Sequence, residues 1–165
     1  PVVNALPEGG YTCQVMRDVL TTYELTTDLP PLKVDWIGDG TNMANSFIEA
    51  AMAFGFELSL ACPKGYEPDM KLMEEAGQKG ARVALYRDPT EAVRGAHYVN
   101  TDVWVSMGQE EEQRARDEAF AGFCVDASLM SLAAPGARFL PCLPAHGGGQ
   151  GREEGFESPA SLSVS

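Results

Sequence analysis

Positive charge and histidine are scarce in this sequence. Twelve lysines and arginines face 24 aspartates and glutamates over 165 residues, a formal charge of −12, and the only histidines are His97 and His146. An acidic chain repels phosphate backbones and anionic lipid unless its cations gather into a patch. Here they are scattered, which argues against a general role on nucleic acid or at a membrane surface. No run of about 18 apolar residues is present to span a bilayer. The segment Pro1 to Gly10 lacks the basic start and apolar stretch of a signal peptide. The four cysteines, Cys13, Cys62, Cys124 and Cys142, contain no C-x-x-C pair, and with so few histidines to help them zinc is not expected. Set among apolar neighbours, each cysteine reads as a buried, reduced thiol, which fits an intracellular, reducing compartment.

What is present can build a core. Hydrophobic residues make up 44% of the chain, and a domain of this size buries roughly two-thirds of its unfolded surface without help from disulfides or metal. The first residue is Pro1 rather than methionine, so a trimmed or partial chain is expected.

Periodicity divides the chain into alternating elements. A leader, residues 1–31, carries a helix over Gln14–Glu24 with Val15, Val19, Leu20 and Tyr23 at helical spacing, stopped by Pro30 and Pro31. Strands are predicted at Lys33–Ile37, Glu57–Ala61, Arg82–Tyr86, His97–Thr101 and Arg138–Cys142. Helices are predicted between them at Asn42–Phe54, Asp69–Lys79, Asp88–Arg94, Gln109–Phe120 and Ser128–Leu132. Asp88 and Pro89 supply a cap and a first helical position, and Asp69 sits at the positive end of its helix. Strands separated by helices of this length pair in parallel through right-handed crossovers. The expected fold is therefore α/β: a Rossmann-like, open, mainly parallel five-stranded sheet with helices on both faces. Residues 147–165, rich in glycine, serine and acid, read as a flexible tail.

In such sheets ligands bind beyond the carboxyl ends of the strands. The loops Gly38–Asn42, Asp102–Gly108 and Cys142–His146 follow the first, fourth and fifth strands, so three distant segments are expected to converge on one crevice. Gly38-Asp-Gly40 invites a dinucleotide reading. However, the third glycine of G-x-G-x-x-G falls at Met43, and the second strand ends in Ala61-Cys62 without the acid that binds ribose, so a nicotinamide cofactor is disfavoured. Asp102 reads either as a ligand-facing acid at a strand end or as a cap for the next helix, with Trp104 in the core. The run Gln109 to Glu118, with Glu110, Glu111 and Glu112 ahead of Arg114 and Arg116, reads as a solvated helix of i,i+4 pairs with no chemistry. Cys142, held between Pro141 and Pro144, has no basic partner in sequence that would lower its thiol pKa.

Taken together, the segments Trp36-Ile-Gly-Asp-Gly-Thr-Asn42, Pro63-Lys-Gly-Tyr-Glu-Pro-Asp69, Thr101-Asp-Val-Trp-Val-Ser-Met-Gly-Gln109 and Cys142-Leu-Pro144 resemble the amino-acid-binding half of ornithine carbamoyltransferases. The likeness runs in order from about Pro1 to His146, giving a leader (1–31), an ornithine-binding α/β domain (32–146) and the tail. It implies transfer of a carbamoyl group from carbamoyl phosphate to the δ-amine of L-ornithine, giving citrulline and phosphate, with no metal and no cofactor. On the matching positions, Asn42, Asp102, Ser106 and Met107 would hold ornithine. Asp102 would also assist deprotonation of the δ-ammonium, and Cys142 and Leu143 would line the point where amine meets carbamoyl carbon. The compartment implied is cytoplasm or an organelle matrix.

The departures from the family pattern concern the donor. Tyr11-Thr12 stands where the family has a His-Pro pair, leaving Gln14 as a remnant of the carbamoyl phosphate site, and Pro141 stands where a histidine precedes Cys-Leu-Pro. The Ser-x-Arg-Thr-Arg phosphate loop and the C-terminal arginine helix of the family are not in this sequence. Phosphate needs bidentate cations, so the chain is expected to be inactive until a donor-binding half is supplied. Trimerisation, usual in the family, relies largely on that half and is not expected of this chain alone. A non-catalytic amino-acid-binding paralogue or regulator, and a carbamoyltransferase for another amine, are the alternatives.

Overall fold

The strands define the molecule. In the computed structural model, which describes residues 12–26, 32–102 and 113–141, β1 (Lys33–Ile37) and β2 (Glu57–Ala61) each bury their last four side chains, as expected of strands covered on both faces. With β3 (Val83–Tyr86), β4 (Tyr98–Thr101) and β5 (Arg138–Pro141) they form one five-stranded sheet of order β3-β2-β1-β4-β5, parallel throughout. The helices are α1 (Thr12–Thr26), α2 (Asn42–Phe54), α3 (Met70–Gln78), α4 (Pro89–Ala92), α5 (Gln113–Ala119) and α6 (Ala127–Met130).

Alternation along β1 divides the core. Val34 and Trp36 face a cluster with Val15 and Val19 of α1, Met43, Phe47 and Ile48 of α2, and Phe56; the Trp36 and Phe47 rings lie 5.5 Å apart. Ile37 faces the other side, with Ala92, Val93, Ala96, Val99, Phe120 and Leu129. Each such large side chain, once buried, contributes about 1.5–3 kcal/mol.

Local signals account for most helix ends. The Asp69 carboxylate accepts from the Lys71 N–H (2.9 Å) and the Asp88 carboxylate from the Thr90 N–H (2.8 Å). Asp126, not anticipated, accepts from the Leu129 N–H at 2.7 Å, which starts α6 at Ala127 rather than Ser128. At the C-terminal end of α4 the Lys33 ammonium donates to the Ala92 and Arg94 carbonyls (2.9 and 2.7 Å), the polarity the helix dipole favours.

Three expectations need correcting. Leu20 is 55% exposed although Val19 is buried, because one residue turns a helix by about 100° and carries it off the stripe. Cys13 is exposed, on the outer face of α1, and Cys124 is half-buried; of the cysteines described only Cys62 is buried. The charged run is not wholly solvated, since Arg116 of α5 turns inward onto Asp39. The tail, residues 147–165, lies outside the described residues.

Candidate functional site

The strand order places a crevice. Connections run from β1 towards β3 on one side and from β4 to β5 on the other, so the direction of winding reverses between β1 and β4, where open α/β sheets hold their ligands. Register puts Ile37, Thr101 and Pro141 side by side at the carboxyl end. The next residues after β1 and β4, Gly38 and Asp102, therefore leave the sheet from neighbouring strands.

The turn after β1 is built on two glycines with different tasks. Gly38 donates its N–H to Ala61 O (3.0 Å) at φ +144°, a conformation that L side chains rarely adopt. A Cβ there would stand 3.8 Å from Thr101 Oγ1 and 4.0 Å from the Asp102 nitrogen, so this turn lies directly against the start of the Asp102 loop. Thr101 Oγ1 donates to Ile37 O at 2.7 Å and locks the two strand ends together. Gly40 is needed for close approach. Its N–H donates to Tyr66 O (2.8 Å), and a Cβ would come within 2.5 Å of Pro68 N and Tyr66 O.

Asp39, between the glycines, is fully engaged. One carboxylate oxygen accepts from Thr41 N–H (2.9 Å) and Thr41 Oγ1 (2.7 Å), and the other accepts from the Arg116 guanidinium. Its backbone carbonyl accepts from the Trp36 indole (2.9 Å). Arg116 also lies over the Tyr66 ring (4.9 Å to its centre) and the Phe120 ring (5.4 Å). A second arginine secures the loop after β2. Arg87 donates to the Cys62 and Pro63 carbonyls (3.2 Å each) and to Glu67 (2.7 Å). The Gly65 N–H, with Arg87 behind it, holds the Glu67 carboxyl below its ordinary range. Burial pushes the Cys62 thiol up to about 12, which leaves it an inert structural group at neutral pH.

Among the site residues expected from sequence, Asn42 is the first residue of α2 and Asp102 is half-buried where β4 ends, on opposite sides of the Gly38 contact. The stretch between Asp102 and α5 lies outside the described residues, and with it any helix that Asp102 would cap. The side chain of Asn42, and Trp104, Ser106, Met107, Cys142 and Leu143, lie outside the described residues. Gln14 donates its amide to both Asp18 carboxylate oxygens (3.3 and 3.2 Å), a contact within α1. Sequence reasoning missed Arg116 and Arg87. The signal for Arg116 was its placement one helical turn before Phe120, so that an inward phenylalanine carries the guanidinium inward with it.

The fold is an open, parallel, doubly wound α/β sheet whose winding reverses between β1 and β4. The chain belongs to the aspartate/ornithine carbamoyltransferase family, whose Asp/Orn binding domain matches residues 31–164. It is 62% identical over 162 residues to an ornithine carbamoyltransferase of Oleidesulfovibrio alaskensis, covering 98% of this chain and 54% of that protein. It is 54% identical over 149 residues to one of Pelobacter propionicus, covering 90% and 49%. Among solved structures, ornithine carbamoyltransferase from Pyrococcus furiosus superimposes with a TM-score of 0.81 at 39% identity, over 90% of this chain and 49% of that one. The Thermus thermophilus enzyme gives 0.79 at 40% identity, over 98% and 52%. The chain spans about half the length of the curated relatives it matches.

Proposed function

We propose that this chain is the acceptor-binding half of an ornithine carbamoyltransferase. The observation that carries the reading is the close approach of the Gly38 turn, which leads into α2, to the backbone of Asp102 where β4 ends. That pairing suits an amino acid with a cationic side chain. The N-terminal end of α2 offers backbone N–H groups to the α-carboxylate, and Asp102 offers a negative charge to the δ-ammonium. In this reading Asn42, Asp102, Ser106 and Met107 hold L-ornithine, and Cys142 and Leu143 border the reacting amine.

The chemistry asks for such an acid. An alkylammonium of this kind titrates at about 10.4, and only the neutral amine has a lone pair to offer. A carboxylate that first pairs with the ammonium and then assists removal of its proton is suited to general-base work. The amine nitrogen then forms a bond to the carbamoyl carbon, the bond from that carbon to the phosphate oxygen breaks, and phosphate leaves with the electron pair. The phosphate has to be held by cations. The crevice arginines of this chain, Arg87 and Arg116, are already committed to Glu67 and Asp39, so donor binding falls to a further half of the enzyme, within an assembly that in this family is trimeric.

Calorimetry of the chain with L-ornithine is expected to show saturable binding, with L-aspartate as the negative control. Asp102→Asn is expected to weaken ornithine by a factor of about 10 to 100, the loss of a charge-assisted contact. The chain mixed with ornithine and carbamoyl phosphate is expected to yield no citrulline. Absence of ornithine heat at millimolar ligand rejects the acceptor reading, and robust citrulline formation rejects the division of labour.

A further inference from the structure

We propose that Arg116 is a positioning residue of this crevice: through Asp39 and the Tyr66 ring it fixes the two loops against which the N-terminus of α2 is set, and so determines the affinity for the amino-acid acceptor. The inference rests on the acceptor reading above and adds a residue that acts through Asp39 and Tyr66.

The contacts form a closed circuit. Arg116 grips one Asp39 oxygen while the other holds Thr41, the residue immediately before α2. Beneath the same guanidinium lies Tyr66, whose backbone carbonyl receives the Gly40 N–H and whose ring packs on Phe120 at 4.9 Å. The Asp69 N–H donates to Asn45 Oδ1 (3.0 Å), joining the far end of the Tyr66 loop to the first turn of α2. One cation on α5 thus fixes Asp39 and Tyr66, and these two with Gly40 and Asn45 fix the rotation and height of the α2 N-terminus.

Placement distinguishes this pair from an ordinary surface ion pair. The Arg116 and Asp39 side chains are only 13% and 19% exposed, so solvent screens them far less than it does Lys79 and Glu75 at 59% and 51%. The planar fork of arginine lets one group meet a carboxylate edge-on while presenting its face to aromatic rings, which an ammonium cannot do. Asp39 lies on the β1 turn and Arg116 on α5, 77 positions later, so the pair ties the turn that leads into α2 to a helix far along the chain.

The test compares the chain with Arg116→Met, Arg116→Lys and Asp39→Asn by ornithine calorimetry, urea unfolding and amide hydrogen exchange. Arg116→Met is expected to weaken ornithine about tenfold or more, the magnitude of a lost charged hydrogen bond. It should accelerate exchange at Gly40, Thr41 and Tyr66 and leave the β1 and β2 amides protected. Arg116→Lys is expected to restore part of the affinity, and Asp39→Asn combined with Arg116→Met to add little to either alone. Unchanged ornithine affinity in Arg116→Met overturns the proposal, as does a binding loss fully accounted for by the unfolded fraction. If the parent chain itself binds no ornithine, the acceptor reading fails, and the exchange pattern alone decides whether Arg116 fixes the turn. Unaltered exchange at Gly40, Thr41 and Tyr66 then overturns the proposal too.

Discussion

Asp35 and Asp39 stand four positions apart, one inside β1 and one on the turn beyond it, and the protein treats them in opposite ways. Asp39 has a partner for each oxygen. Asp35 is fully buried, and among the described residues neither of its oxygens has a hydrogen-bond partner. Burial pushes its carboxyl up to about 8, against the smaller opposing pulls of the Lys33 ammonium and the Trp36 amide. On the same face lie Ser59 and Val99, its register partners in β2 and β4, and the Lys33 ammonium is engaged by α4. An acid at the rim of a sheet can be charged and useful because loops and other helices reach it. The same acid in the middle of a parallel sheet is surrounded by backbone already paired with itself, and it stays neutral at ordinary pH.

The comparison can be broken first at the rim. Gly40→Ala places a methyl 2.5 Å from the backbone of the Tyr66–Pro68 loop, which cannot yield as a side chain can. We expect a loss of about 3 kcal/mol in urea unfolding, the upper end for overpacking, together with loss of ornithine heat. Stability near that of the parent would show that the two loops are not held in register.

The next effect belongs to the interior. The folded value of Asp35 lies above the unfolded one, 3.8, so the native state holds a proton that the unfolded chain gives up. Its contribution is intact below about pH 4 and is lost progressively as pH rises to about 8, by at most about 1.4 kcal/mol per pH unit. Asp18, also raised by burial, slopes the same way, so the informative quantity is a difference between variants. Asp35→Val is expected to be more stable than the parent by at least about 2 kcal/mol at pH 8, since an apolar residue removes an unsatisfied polar group and the parent has by then lost what its bound proton contributes. The gap should narrow toward pH 4. A gap independent of pH, measured by urea midpoints, would mean that Asp35 is solvated or paired in solution.

Smallest of all is the expected effect of Lys79→Gln. Its partner Glu75 is exposed and one helical turn away, and the change should stay within about 0.5 kcal/mol. A larger effect would remove the contrast drawn between exposed and half-buried pairs.

Much of the fold was legible residue by residue. β1, α2 and β2 have the bounds that periodicity predicts, because burial on both faces makes a strand a continuous apolar run and a helix a stripe. Asp69 and Asp88 announce their helices because a cap acts on N–H groups only two or three residues away. Asn42 and Asp102 were legible as residues following β1 and β4. The approach of the Gly38 turn to the start of the Asp102 loop depends on β1 pairing with β4, which no local signal specifies.

By itself, then, the sequence determined what depends on near neighbours: the alternation of strands and helices, the parallel α/β class, the capping acids, the glycines of the first turn and the family resemblance of its loops. Tertiary structure alone decided the order β3-β2-β1-β4-β5, the isolation of Asp35 and the inward turn of Arg116. The physical reason is one of range. Periodicity and capping act within a turn or two of backbone, whereas desolvation and ion pairing depend on groups tens of residues apart, brought together only when the sheet closes over its core.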